Sequence, residues 1–163
     1  MNIRKVLSTV LVIIWMLTIF YFSHQQGTGS SSTSKKVTEA IVNILDIKKE
    51  MTEENKEEIV KIIEPIIRKL AHYTLYMLGG ILIINCIDAY IKEDIKIIIC
   101  SSLIGVIYAV SDELHQLFVN GRSGKIIDVV IDSIGIFTGI AMYLVVKKII
   151  EAIVDRKKIK GGE

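Results

Sequence analysis

The chain has 163 residues, with 20 Lys and Arg against 18 Asp and Glu, and a mean hydropathy of +0.49. At 51% hydrophobic it is too apolar for a disordered chain, and at net charge +2 it has no basic footprint for nucleic acid. Because 23% of the residues are nevertheless charged, the two classes must be segregated, as in a polytopic membrane protein with polar ends and loops.

Residues 6–22 form the first apolar run, 17 residues without a charge, just long enough to cross about 30 Å of hydrocarbon. Arg4 and Lys5 precede it as in a signal peptide. The exit Phe22-Ser23-His24-Gln25-Gln26 lacks a small-x-small cleavage pattern, so the run reads as an uncleaved helix. Residues 27–34 are a Gly/Ser/Thr linker, flexible by composition. Val37, Ala40, Ile41, Ile44 and Leu45 then recur at helical spacing, as do Ile59, Ile62, Ile63, Ile66, Ile67 and Leu70. Between them residues 48–58 are almost all charged. This predicts two external amphipathic helices, one lying on the membrane surface or across the mouth of the bundle. Pro65, preceded by Glu64, suits the first turn of a new helix running through Arg68, Lys69 and His72 into the second span.

The second span is placed at 73–91, with Asp88 at its far end. Residues 97–110 number only 14, about 21 Å of helix. They span only if the helix continues to 119, which draws Asp112, Glu113, His115 and Gln116 toward the bilayer. The fourth run, 126–146, carries Asp128 and Asp132 in its first two turns. Carboxylates at such depth are costly, usually face the bundle interior, and mark a functional site by default. Cys86 and Cys100 read as small core residues, not ligands or a disulfide. The predicted fold is all-α: a four-helix membrane domain over 1–148, with an extracytoplasmic amphipathic helical insertion at 27–64 between helices 1 and 2. Residues 149–163 follow as a basic cytoplasmic tail. With the N-terminus inside, the Lys and Arg divide ten to ten. Six basic residues after the last span break the tie in favour of N-in, C-in.

This topology brings the polar residues to one end. Ser23, His24 and Gln25 leave the first helix there, and Arg68, Lys69 and His72 enter the second. Asp112, Glu113, His115 and Gln116 leave the third, and Arg122, Asp128 and Asp132 enter the fourth. Asp88 alone lies at the other end. Helical phase groups Arg68, His72, Tyr76 and Gly79 within about 80° and Asp128, Asp132, Gly135 and Gly139 within about 60°. On the third helix Ser101, Gly105, Tyr108, Asp112, His115 and Gln116 fall within about 100°. Three such stripes point at one shared pocket. Gly135-x-x-x-Gly139 permits close helix contact below the acids. The turn Asn120-Gly121-Arg122-Ser123-Gly124 holds Arg122 over the pocket, where a guanidinium suits a carboxylate or phosphate. Its partner is Asp112, Asp128 or Asp132, or a ligand from outside.

The run Arg68-Lys69-Leu70-Ala71-His72-Tyr73-Thr74-Leu75-Tyr76 resembles the signature of the VanZ-like family. So does the run from Ser111-Asp112-Glu113-Leu114-His115-Gln116 through Asn120-Gly121-Arg122-Ser123-Gly124. Asp128, Asp132-Ser133-x-Gly135 and the early Phe22-Ser23 complete the match, in order over residues 1–148. Tyr76 stands near where members often have an acid, and Asn120 where Pro is frequent. Residues 30–58 match nothing in the pattern. The family takes its name from a membrane protein associated with teicoplanin resistance. The resemblance implies a cell-envelope role in a bacterium and lowered susceptibility to lipoglycopeptides, without supplying a reaction.

Several readings of the cluster stay open. Arg68, Lys69 and Arg122 against Asp112, Glu113, Asp128 and Asp132, balanced by His72 and His115, form a polar network that fixes helix register in one reading. In another, Ser23, Arg68, Lys69, His72, Tyr76, Asp112, Glu113, His115, Gln116, Arg122, Ser123, Asp128 and Asp132 form a pocket for an anionic envelope molecule. The partners then expected, besides membrane lipids, are a lipid-linked wall precursor, an anionic headgroup or the lipoglycopeptide itself. A third reading is an intramembrane enzyme in which His72, His115, Asp112, Glu113 and Asp128 serve as acid/base groups or metal ligands. The sequence has no His-Glu-x-x-His helix and no Gly-x-Ser-x-Gly turn, so no catalytic residue, cofactor or metal site is assigned. A proton or ion carrier is disfavoured because no polar path leads on to Asp88.

Overall fold

The computed structural model describes residues 2–24, 27–46 and 52–160, and the side chains of these except 27–33 and 158–160. The described residues form five helices and no strand: α1 (Ile3–His24), α2 (Gly27–Leu45), α3 (Glu53–Tyr90), α4 (Asp94–Gln116) and α5 (Ile126–Lys160). All but α2 are long and apolar enough to cross a membrane. Their outward faces agree with that, because Leu17, Ile99, Ile107, Phe137 and Val145 are exposed. So wide an apolar surface needs lipid or protein cover. The chain is therefore an all-α, multi-pass membrane protein.

α3 packs against each of the other four helices, most extensively against α5. Glycine makes that contact possible. A Cβ added at Gly135 would stand 2.6 Å from the Tyr73 carbonyl oxygen, and at Gly139 it would run into that of Met77. The backbones thus approach as the small-x-x-x-small spacing allows. The core holds Trp15, Ile19, Tyr76, Ile83, Ile84, Ile97, Ala109, Ile136 and Ile140. Trp15 meets Tyr76 edge-on at 5.7 Å and donates its indole N–H to the Leu75 carbonyl at 2.9 Å. The Tyr108 hydroxyl donates to the Met16 carbonyl at 2.6 Å. Trp15 and Tyr108 thus bury their rings and still satisfy their polar tips. Cys86 and Cys100 are free and half-buried.

Two local expectations are corrected. Residues 27–34 are not a flexible linker but the beginning of α2. The helix runs beside the first half of α3, where Thr38 and Val42 are buried, Val60 is buried on α3, and Ser34 donates to Glu64 at 3.1 Å. Tertiary packing overrides a weak propensity costing at most about 1 kcal/mol at each glycine. Pro65 does not start a helix; it lies inside α3, whose N-cap is Thr52, with the Asn55 N–H bonded to its hydroxyl at 3.3 Å. The apolar repeat from Ile59 to Leu70 passes through Pro65 without a phase break, so packing offsets the lost donor, a cost of about 3 kcal/mol. The expected second amphipathic helix and the second span are consequently one helix of 38 residues, about 57 Å long. Most of the intervening charged run, residues 52–58, is described as part of α3 or its cap, and 48–51 lie outside the described residues. α5 likewise carries on past residue 146 as helix.

Candidate functional site

At the end of the bundle where α1 finishes and α5 begins, a polar cavity of about 350 Å³ opens. α3 supplies Glu64, Arg68, Lys69 and His72 to its wall, α4 supplies Glu113 and Gln116, and α5 supplies Asp128, Ile131 and Asp132. The connecting turn adds Arg122, Ser123 and Lys125. Gly121, at φ 76°, takes the left-handed conformation that reverses this turn. Arg122 is carried back across the bundle, and its Nη2 donates to the Phe22 carbonyl at 2.8 Å. This answers part of the question left by the sequence: one arm of Arg122 holds the end of α1. Burial lowers the Arg122 pKa from its ordinary value, Asp112 pulls it up, and Arg68 pushes it down again. A guanidinium stays charged through such shifts.

Beside this cavity is a second, mostly apolar one of about 300 Å³, walled by Ile19, Phe22, Val37, Ile67, Ala71 and Leu75. Ser23 and Ser34 also border it. Arg68, His72 and Arg122 belong to both cavities, and so form the boundary between a polar and an apolar compartment.

Below the rim the acids converge. Asp112, Glu113 and Asp132 are 4%, 5% and 0% exposed. One carboxylate oxygen from each lies within 4.8 Å of the others. Gln116 donates to Asp112 at 3.2 Å, and Glu113 accepts the Lys125 backbone N–H at 2.9 Å. Among the described residues neither oxygen of Asp132 has a hydrogen-bond partner, and His72 Nδ1 stands 3.8 Å from Oδ1 as its ion-pair neighbour. Tyr76 is wholly buried, its hydroxyl makes no hydrogen bond of acceptable geometry, and Asp112 and Asp132 are its electrostatic neighbours.

Of the thirteen residues singled out from the sequence, nine line the polar cavity: Arg68, Lys69, His72, Glu113, Gln116, Arg122, Ser123, Asp128 and Asp132. Ser23 is buried at the apolar cavity, while Asp112 and Tyr76 lie behind the wall. His115 is the exception. Its ring stacks on Phe20 at 4.7 Å, and its Nε2 lies 3.3 Å from His24 Nδ1. A helical step of three residues turns about 60° short of a full circle, enough to point His115 at α1 instead of into the cavity beside Asp112. Gln25 lies outside the described residues.

Glu64 and Lys125 were missed as wall residues, although Glu64 pairs with Arg68 at 3.5 Å with the four-residue spacing visible in sequence. A larger omission lies at the opposite end. Asp88 accepts Arg4 at 2.7 Å, Lys147 at 2.6 Å and the Tyr143 hydroxyl at 3.1 Å, joining α1, α3 and α5.

Four helices long and apolar enough to cross a membrane, three of which wall a polar cavity at one end, define an integral membrane bundle. The chain belongs to the VanZ/LLP1 family, whose model matches residues 8–147. No curated protein and no solved structure gives a significant match.

Proposed function

We propose that the polar cavity binds the anionic headgroup of an envelope lipid, with the apolar cavity taking part of its acyl chain. The observation that carries this is the shared wall: Arg68, His72 and Arg122 border both compartments. An anionic amphiphile needs that adjacency of cationic and apolar surface. Arg is suited to phosphate or carboxylate because its fork of N–H donors matches their oxygens. In this reading the termini are cytoplasmic and the cavity faces the outer leaflet of a bacterial cytoplasmic membrane. Arg4, Lys5, Lys92, Lys96, Lys147 and Lys148 at the opposite end support that orientation through the positive-inside rule. A family named for teicoplanin resistance supports the cellular consequence, lowered susceptibility to lipoglycopeptides, through binding of a lipid-linked wall precursor or of the drug.

Native mass spectrometry of the full chain with anionic and zwitterionic lipids tests the binding. The anionic lipid is expected to be retained preferentially, and Arg122→Ala to weaken it about 10–100-fold, the worth of one charge-assisted hydrogen bond. Equal retention of both lipid classes would sink the reading. Expression in a lipoglycopeptide-sensitive host tests the consequence, and unchanged susceptibility would remove resistance from it. The 3.8 Å approach of His72 to Asp132 favours one alternative, an enzyme using His72 as a general acid or base on the same headgroup. That alternative requires a changed lipid on incubation with protein, abolished by His72→Ala.

A further inference from the structure

The three acids below the rim outnumber the cations that bear on them, since Arg122 faces Asp112 and Glu113 and only the His72 ring, at 3.8 Å, faces Asp132. An ionised carboxylate taken out of water must be paired, neutralised or bound to a metal. Asp112 has one amide donor and Glu113 one backbone donor, but Asp132, fully buried, has no hydrogen bond among the described residues and only the His72 ring at 3.8 Å. Its electrostatic neighbours are one histidine and two further acids, Asp112 and Asp128. A second group points the same way. The Tyr76 hydroxyl, from another helix, is buried near Asp112 and Asp132 with no satisfied hydrogen bond among the described residues.

We propose that Asp112, Glu113 and Asp132 hold a hard divalent cation, with Ca²⁺ fitting better than Mg²⁺. The donor set is all oxygen, which selects Ca²⁺, Mg²⁺ or Mn²⁺ over metals that prefer sulfur or imidazole. Size then discriminates. Ca²⁺–oxygen distances of about 2.3–2.6 Å let opposite ligands stand about 5 Å apart, whereas Mg²⁺ at about 2.0–2.1 Å draws them to about 4.2 Å. Oxygens within 4.8 Å of one another lie inside the first limit, and a set this open closes on Ca²⁺ with less contraction than on Mg²⁺. Ca²⁺ also takes 6–8 oxygens, and the cavity that Glu113 and Asp132 border lets water complete the shell. Gln116 is a positioning residue: its amide orients the Asp112 carboxylate. The cation is expected to bind with no lipid present, so this site stands or falls separately from the headgroup reading.

The test is calorimetric titration of the full chain, stripped with EDTA in detergent, with Ca²⁺ alone and with Mg²⁺ alone. Saturable uptake of one Ca²⁺ per chain is expected, tighter than Mg²⁺. Asp132→Asn should weaken it by more than about 100-fold and Gln116→Leu by about tenfold, the usual range for an outer-shell partner. Glu93→Gln, at an exposed pair with Lys96, should leave it unchanged. If Asp132→Asn does not fold, Glu113→Gln carries the same expectation. Terbium luminescence excited through Tyr76 gives a second readout, with emission expected from wild type and lost in Tyr76→Phe. Wild-type protein that takes up neither cation saturably overturns the site. So does a folded Asp132→Asn protein that binds Ca²⁺ as tightly as wild type.

Discussion

The two ends of the bundle use a buried or nearly buried aspartate in opposite ways. At one end Asp88 is saturated, with Arg4 and Tyr143 on one oxygen and Lys147 on the other. Three helices are tied through it, and its side chain is 11% exposed. At the other end Asp132 is wholly buried with no hydrogen bond, beside two more buried acids and at the edge of a cavity. A satisfied carboxylate is a clasp. An unsatisfied one beside open space departs from the rule that buried polar groups have their hydrogen bonds filled.

The largest expected effect strikes both ends together. Gly139→Val drives a side chain into the Met77 carbonyl on the shared α3–α5 contact. It should cost about 3 kcal/mol or more in detergent unfolding, and a neutral result would mean the helices are free to separate. Asp88→Ala comes next. It leaves Arg4 and Lys147 facing each other, and because Arg4 is half exposed the loss should be about 2–3 kcal/mol, below that of a fully buried pair. Asp132→Asn should go the other way. Measured in EDTA, it is expected to be neutral or stabilising by about 1 kcal/mol, since relief from the neighbouring acids Asp112 and Asp128 outweighs the loss of the 3.8 Å approach to His72. A loss as large as that of Asp88→Ala would break the comparison and make both acids clasps. The smallest change is Tyr143→Phe, which deletes one of three donors to Asp88 and should cost about 0.6 kcal/mol, typical of a hydrogen bond between membrane helices.

How far the sequence reached depends on the range of the physics involved. Spans were legible because hydropathy and length are local; the third helix draws Asp112 and Glu113 inside as its short apolar run required, but it ends at Gln116, short of the expected 119, because it starts earlier, at Asp94. Helical phase placed Arg68, His72 and Asp132 on inward stripes, and all three border the same cavity. Phase failed for His115, where about 60° of rotation decides between the cavity and the Phe20 ring. Helix-breaking composition misled at Pro65 and residues 27–34, where local turn signals gave way to packing between α2 and α3. The Asp88 clasp had only a faint trace: Arg4 and Lys147 flank the apolar runs at the same predicted side.

By itself the sequence determined the helices, their number across the membrane and the end at which polar residues collect, because each follows from neighbours along the chain. Tertiary structure alone decided which charges are satisfied. Arg4 and Lys147 reach Asp88 across 84 and 59 residues of chain, and His72 stops short of Asp132 by less than an ångström of hydrogen-bond reach. Such distances arise only when four helices have packed, and they separate a clasp at one end from an acid-lined cavity at the other.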